Sequence, residues 1–340
     1  MPWKFQPTRQ KKKETRFSNL SADIDDIVSL NTQSDRCHND TKGYIKTTAL
    51  QVRTALLTRK GYIEADFCQS TVNNILNRLG YCLTKVLKTL PLKRIEETDA
   101  IFENIAKFRQ QDSPGILKIS MDVKDKVKVG KLSRKGYHRQ KVKVKAHEKD
   151  MHWEHKLVPL GILEIDSAMS TVILGNSHET SDFIVDGLEK WYELRKTDLQ
   201  KYHTIEIYLD NGPSVNGCRT QFVNRMMEFA CITNLNVHLL YYPPYHSKYN
   251  PIERVWAAVE NYWNGTLLTS IDKVVNTIGN VTWKSINLTA TLLDKVYQKG
   301  VTLSDEKMKI REQFIQRNQD LPKWDIFIIP SYEMGMLFIE

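Results

Sequence analysis

The sequence predicts a mixed α/β sheet covered on both faces by helices, with a small helical region ahead of it. Three observations carry this expectation. From residue 116 onward, β-rich apolar runs and amphipathic stretches alternate in the order strands, helix, strand, helix, strand, helix, as layered helices over a sheet require. Between residues 46 and 112 the apolar residues recur at three- and four-residue spacing instead. Ser113-Pro114-Gly115 separates the two regimes.

In chain order, residues 1–45 are polar, charged and without a period, and are expected to form a basic flexible tail. A helix is expected at about 48–59, ending near Gly61. Ser70 is expected to cap a second helix, whose Val72, Ile75, Leu76 and Leu79 fall at i, i+3, i+4 and i+7, with Gly80 suited to a left-handed end. Its polar face carries Ser70, Thr71, Asn73, Asn74 and Arg78. Two such helices are compatible with helix-turn-helix DNA binding, and equally with a small bundle showing a solvated face. TDAIFENIAKFRQ reads as a third amphipathic helix at 98–110.

ILKISMDV opens the sheet, and KVKVG follows as a short strand with Val127 and Val129 on one face and Lys126 and Lys128 on the other. KVKVK at 141–145 repeats that alternation and is expected to be a strand. LVPLGILEI and STVILGNS supply two more. A helix over 181–196 brings Phe183, Ile184, Leu188, Trp191 and Tyr192 close to one face. TIEIYLD is a strand, 221–231 lies within a helix, NVHLLYY is a strand, and the turn PPYHSKYNP leads into the helix carrying Glu253. Beyond about 265 the pattern is helical again, and WDIFIIPSYEMGMLFIE is apolar enough to dock as a strand. The expected domains are 1–45, 46–112, 116–270 and a C-terminal helical extension and tail at 271–340.

Charge is concentrated. Residues 124–149 hold nine lysines and two arginines against Asp125 and Glu148, which accounts for the whole formal net charge of +9. Such a stretch reads as a polyanion contact, and its candidates are Lys124, Lys126, Lys128, Lys131, Arg134, Lys135, Arg139, Lys141 and Lys143. A solvated strand face would look the same. No apolar run approaches the roughly eighteen residues of a membrane span. The N-terminus lacks the apolar stretch of a signal peptide. Five cysteines without CxxC spacing point to reduced thiols and a cytoplasmic protein. His147, His152 and His155 lie close together, but no cysteine is near and HExxH is absent, which disfavours zinc; a flexible arm or phosphate contacts fit them better.

Three acids stand where patterns change: Asp122 at the end of ILKISMDV, Asp210 after TIEIYL, and Glu253 on the first turn of a helix. Each has an ordinary explanation. Asp122 can end a strand. Asp210-Asn211-Gly212 is turn chemistry, because Asn and Gly accept positive φ. Glu253 can close a capping box with Asn250 as N-cap and Pro251 as the first helical residue. Together they can converge on one edge of the sheet, where ligands of open α/β sheets gather. Converging carboxylates repel unless cations sit between them, and hard divalent cations take oxygen ligands.

At these residues the chain resembles the DDE transposases of bacterial insertion sequences, closest to an ISAzo-type family related to the mariner-like branch. The resembling segments are KISMDVKDKVKVGKLSRKGY, VPLGILEIDSAMSTVILGNSHETSDF, YLDNGPSVNGCRTQF and YYPPYHSKYNPIERVWAAVENYWNGTL, continuing through NVTWKSI to KWDIFIIP. The PPYHSKYNPIE block is the most specific of them. The resemblance implies an RNase H-like core in which Asp122, Asp210 and Glu253 are catalytic and bind Mg²⁺, two ions per site, with Mn²⁺ able to substitute. It implies cleavage of transposon ends and transfer of the freed 3′-hydroxyls into target DNA. Asn211, Gly212, Ser214 and Asn216 would shape the loop beside Asp210, and His246, Lys248 and Asn250 the approach to Glu253. Double-stranded DNA is the implied partner, with a homodimer on synapsis, in the bacterial cytoplasm at the nucleoid. Mariner-like relatives often carry proline near Lys248, so this lysine departs from the wider pattern. The alternatives are a catalytically silent, transposase-derived DNA-binding protein, a truncated copy, or a nuclease that cuts without joining; retention of all three acids favours the transposase.

Overall fold

The computed structural model describes residues 13–29, 32–33, 44–45, 47–82, 95–111, 113–137, 141, 144–148, 151 and 153–339. Cα proximity divides the chain into two units, Met1–Thr89 and Leu90–Glu340.

In the first unit, helices Lys13–Arg16 (α1), Leu20–Ser29 (α2), Ala49–Arg59 (α3) and Gln69–Arg78 (α4) accompany two short strands, Thr32–Gln33 (β1) and Tyr44–Ile45 (β2), paired antiparallel. Leu20, Ile24, Ile27 and Val28 of α2 pack against Val52 and Leu56 of α3 and Val72, Ile75 and Leu76 of α4, around Phe67. This corrects the expected tail. The period was present in the sequence but dispersed among Asp23, Asp25 and Asp26, and those acids anchor the helix rather than solvate it. Lys60 Nζ lies 2.6 Å from Asp26 and 3.3 Å from Asp23. Tyr62 and Tyr81 donate to Asp23 and Asp25 at 2.7 and 2.9 Å.

The α3 start is a complete capping box of Thr48 and Gln51. The α4 start is not where the sequence put it: Cys68 is the N-cap and Ser70 is already helical, without a side-chain cap bond. The Ser70 hydroxyl turns to Cys68 Sγ at 2.9 Å instead; with Thr71 it brings the thiol down to about 6. Gly80 ends the helix at φ +92°, as expected. On the polar face Ser70, Asn73 and Asn74 are exposed and Thr71 is half-buried. Arg78 is committed to Glu14, its Nε donating at 2.8 Å.

The second unit opens with helix Thr98–Gln110 (α5), at the bounds its pattern predicts. Strands Ile116–Val123 (β3), Val127–Val129 (β4), His155–Glu164 (β5) and Ser170–Gly175 (β6) follow, then helix Ser181–Leu199 (α6), strand Thr204–Leu209 (β7), helix Thr220–Thr233 (α7), strand Asn236–Tyr241 (β8) and helix Ile252–Trp263 (α8). Helix Ile271–Gly279 (α9), the hairpin Thr282–Trp283 (β9) with Ile286–Asn287 (β10), and strand Thr289–Leu293 (β11) come next. Helix Asp305–Glu312 (α10), strands Ile315–Arg317 (β12) and Asp325–Ile328 (β13), and helix Tyr332–Met336 (α11) complete the chain.

One nine-stranded mixed sheet runs β11-β6-β5-β3-β7-β8-β13-β12, with β4 paired to β5. At its centre β5 lies antiparallel between β6 and β3, while β3, β7 and β8 are parallel. The parallel set carries the acids to one end: Asp122 stands opposite Gly161 in the ladder, and Leu209, the residue before Asp210, pairs with Tyr241. Leu117, Ile119 and Met121 of β3 pack with Phe183, Leu188 and Trp191 of α6 and Phe222 and Met226 of α7 in one hydrophobic cluster. A second cluster gathers Ile252, Val255, Trp256, Val259 and Trp263 of α8 with Leu163, Val172 and Leu174 of the sheet.

Two expectations change here. Lys141, Val144 and Lys145 of the KVKVK repeat are exposed and outside any strand, residues 142 and 143 lying outside the described residues. β4, by contrast, pairs with β5 and has Val127 and Val129 buried in the hydrophobic cluster around α8. The chain also divides differently from the expected domains. α5 belongs with the sheet, and the stretch after 270 adds β11, β12 and β13 to it. Asp325–Ile328 is the docking strand expected near the C-terminus, antiparallel to β8.

Candidate active site

β3 delivers Asp122 at its penultimate position, and the side chain is fixed from α8: Trp256 Nε1 donates to Asp122 Oδ2 at 3.1 Å. The Trp256 ring lies over Gly161. A Cβ on Gly161 would come within 2.4 Å of Trp256 Cζ2 and 3.1 Å of Ile252 Cδ1. Glycine there lets α8 approach the strand that pairs with Asp122. Gly161→Ala is therefore expected to lose about 1–3 kcal/mol of stability by overpacking and to displace Trp256 from Asp122. Thermal unfolding with tryptophan fluorescence checks this; an unchanged melting temperature and spectrum would show that the ring has room to move.

Asp210 follows β7 directly, and its Oδ1 accepts the Gly212 N–H at 3.2 Å. Neither Asn211 nor Gly212 adopts positive φ, so DNG is no tight left-handed turn. The loop is held by its own polar groups: the Asn216 and Val215 amides donate to the Gly212 carbonyl, Asn216 Oδ1 accepts the Cys218 N–H, and the Ser214 carbonyl accepts from Ser181 Oγ at 2.7 Å.

The α8 start departs from the expected capping box. Pro251 is the N-cap and no side chain caps the helix. Asn250 is buried and turned toward β3, where its Nδ2 donates to the Met121 carbonyl at 3.1 Å and its Oδ1 accepts from Ser120 Oγ. Ser120 Oγ in turn accepts the Ile252 N–H at 2.9 Å. This buried clasp ties the first turn of α8 to the strand residue two before Asp122. It also relieves Glu253 of capping duty. His246 is buried, its Nδ1 2.7 Å from the Pro244 carbonyl, with its ring against Phe102 and Tyr249. Lys248 is exposed, its ammonium 5.0 Å over the Tyr249 ring.

The carboxylates sense one another. Burial first, then the charges of Asp210 and Glu253, push Asp122 up to about 8. Burial also raises Asp210, opposed by the Gly212 N–H and reinforced by Glu253. The residues bordering a cavity of about 90 Å³ include Asp122, Asp210, Gly212, Ser214 and a fourth acid, Glu179. Glu179 sits just before the Thr180 cap of α6 and is raised by burial, against Lys126, with Asp210 and Asp125 adding to the rise. Sequence reasoning passed over Glu179 because it ends no strand; its place beside the capping Thr180 of an amphipathic helix was the one available signal.

Asp122, Asp210 and Glu179 border this cavity, and their all-oxygen chemistry fits a hard divalent cation. Among the described residues no three His, Cys, Asp or Glu side chains are yet gathered tightly enough to ring an ion.

The predicted DNA contacts separate into two kinds. Lys124 and Arg134 are drawn inward: Lys124 Nζ is 3.0 Å from Glu260, Arg134 reaches the same carboxylate at 3.2 Å, and the two cations lie over the rings of Trp256 and Trp263. Burial pushes Glu260 up, but these two cations outweigh it and hold the carboxyl below its usual range. Lys126, Lys131, Lys135 and Lys141 are exposed and Lys128 is half-buried. Arg139 and Lys143 lie outside the described residues, as does His152. His147 joins Lys131 and Ser133 through its backbone, and His155 faces Val129 in the ladder.

The sequence matches the family described as the Rhodopirellula transposase DDE domain over residues 23–330. No curated protein matches it. Among solved structures, the chain is similar to the Mos1 transposase paired-end complex with left transposon end, at 12% identity over 71% of this chain and 72% of that one, with a TM-score of 0.41. It is similar to the Mos1 mariner paired end complex with Mn at 12% identity, over 77% and 76%, TM-score 0.40. The corresponding complex with Mg gives 10%, 77%, 76% and 0.38.

Proposed function

Because the chain belongs to the Rhodopirellula transposase DDE-domain family, we propose that Asp122, Asp210 and Glu253 are the catalytic and cation-holding residues of a DNA-cleaving and strand-transferring enzyme. The observation that carries this residue assignment is geometric: Asp122 and Asp210 leave the adjacent parallel strands β3 and β7 at the same end and border one cavity, and the Ser120–Asn250 clasp ties the first turn of α8, which bears Glu253, to β3. When bound, two Mg²⁺ ions, or Mn²⁺ in their place, would supply charge stabilisation to the attacking and leaving oxygens of an in-line phosphodiester displacement.

The protein's own residues prepare that site. Trp256 fixes one Asp122 oxygen, Gly212 one Asp210 oxygen, and the Ser120–Asn250 clasp sets the helix turn bearing Glu253. Asn211, Ser214, Asn216 and His246 shape the surrounding loops, and Lys248 meets a phosphate at the entrance. Lys126, Lys131, Lys135 and Lys141 track the DNA backbone, while Ser70, Asn73 and Asn74 on α4 contact the element's ends. Two copies pair the ends on synapsis. Among the described residues no helix is long and apolar enough to cross a membrane.

The test is cleavage by the purified full chain, with Mg²⁺ or Mn²⁺, of DNA carrying the ends of its own element. Asp122→Ala, Asp210→Ala and Glu253→Ala should each abolish cutting while leaving folding and DNA retention intact. Survival of cutting in Glu253→Ala, with loss in Glu179→Ala, would move the third ligand to Glu179. Replacing Lys126, Lys131, Lys135 and Lys141 together by Ala should lower the slope of log affinity against log salt by about 3–4, close to one per lost phosphate contact. An unchanged slope would put the DNA path elsewhere.

A further inference from the structure

Tyr245 occupies a position that its own fold does not favour. The His246 N–H donates to the Pro243 carbonyl at 3.2 Å, closing a turn with Pro244 and Tyr245 at its centre. Tyr245 has φ +66°. Proline followed by a positive-φ residue is the type II arrangement, in which glycine is the favoured third residue because a side chain there is strained. The ring recovers nothing from the fold: it is 67% exposed, and among the described residues no hydrogen bond or ring contact holds it.

The turn stands at the catalytic end of the sheet. It joins β8, whose Tyr241 pairs with the residue before Asp210, to the helix carrying Glu253. Beside it Tyr249 is 43% exposed under the Lys248 ammonium. Exposed aromatic faces with an adjacent cation are the pattern by which proteins hold nucleobases without regard to sequence. Strained residues collect where an external ligand is engaged.

We infer that Tyr245 stacks on the nucleobase that strand cleavage leaves without a neighbour, and so retains the cut DNA end between cleavage and joining. This rests on the proposed function above. Cleavage opens a stack of bases at the scissile position, and the Tyr245 ring replaces the lost base. Tyr245 is thus a positioning residue for the DNA end, with the acids left to act on the phosphate.

The test uses a short duplex taken from the DNA flanking the gene, with 2-aminopurine at the end exposed by cleavage, and the same duplex uninterrupted. Binding is measured without divalent cations. Wild type should quench the terminal fluorophore and hold the cut duplex. Tyr245→Gly should lose the quenching and bind the cut duplex roughly tenfold more weakly, with binding of the uninterrupted duplex unchanged. Its melting temperature should rise, because glycine relieves the turn; Tyr245→Trp should keep the quenching. Equal quenching in wild type and Tyr245→Gly would overturn the inference, as would a lowered melting temperature in Tyr245→Gly, which would mark the ring as structural. Failure of wild type to cut the uninterrupted duplex with Mg²⁺ would instead count against the proposed function.

Discussion

Asp122→Asn is expected to abolish metal-dependent DNA cleavage while making the metal-free protein more stable. Loss of cleavage should reach about three orders of magnitude, since a bound cation contributes several kcal/mol to the transition state and each 1.4 kcal/mol is tenfold. The gain in stability follows from charge. Asp122 is pushed up to about 8 by burial and then by Asp210 and Glu253, while in the unfolded chain it titrates near the ordinary value of about 4. Between those values the folded protein binds more protons than the unfolded one, so the stability of the metal-free wild type falls as pH rises from about 4 to about 8. Asparagine removes that dependence and keeps an oxygen to accept from Trp256. Mg²⁺ should raise the melting temperature of wild type at pH 8 and leave that of Asp122→Asn nearly unchanged. If the variant melted lower than wild type at pH 8 without metal, the crowding of charge at this end of the sheet would be disproved.

Asn250→Ala is expected to be the most damaging change outside the acids themselves. It strips partners from the buried Met121 carbonyl and Ser120 hydroxyl, at a cost of about 2–4 kcal/mol for two groups left unsatisfied. It also unties the α8 turn from β3, so Glu253 loses its fixed relation to Asp122. Cleavage should fall at least about tenfold even at temperatures where the variant is fully folded, because small misplacements of catalytic groups are costly. Asn250→Asp keeps the acceptor for Ser120 but sets a buried carboxylate oxygen against the Met121 carbonyl, and should be at least as unstable as Asn250→Ala at neutral pH. Denaturant melts and cleavage rates at matched folded fractions separate the two effects. Normal cleavage by folded Asn250→Ala would show that the clasp supports the fold alone.

The central elements, from β5 to α8, were readable because each of them announces itself locally. The helix at 98–110 and the strands before Asp122 and Asp210 have a single dominant period and clear breakers. The helix at Leu20–Ser29 was hidden although its four buried residues keep helical spacing, because three aspartates among them make the stretch look solvated. Only their partners Lys60, Tyr62 and Tyr81, thirty or more residues away, show that those charges are anchored. Of the KVKVK repeat, whose alternation is as regular as that of β4, the described Lys141, Val144 and Lys145 are exposed, whereas Val127 and Val129 of β4 are buried.

By itself the sequence determined which three acids stand at element ends, the order of strands and helices from β5 to α8, and the basic stretch, because these depend on residues close together along the chain. Tertiary structure alone decided the rest. It turned Asn250 from a helix cap into a clasp on Ser120, 130 positions earlier, and set Lys124 and Arg134 against Glu260. It also brought Glu179 to the cavity of Asp122 and Asp210. Side-chain partners of this kind are chosen by which surfaces the sheet brings face to face, and no local pattern records that choice.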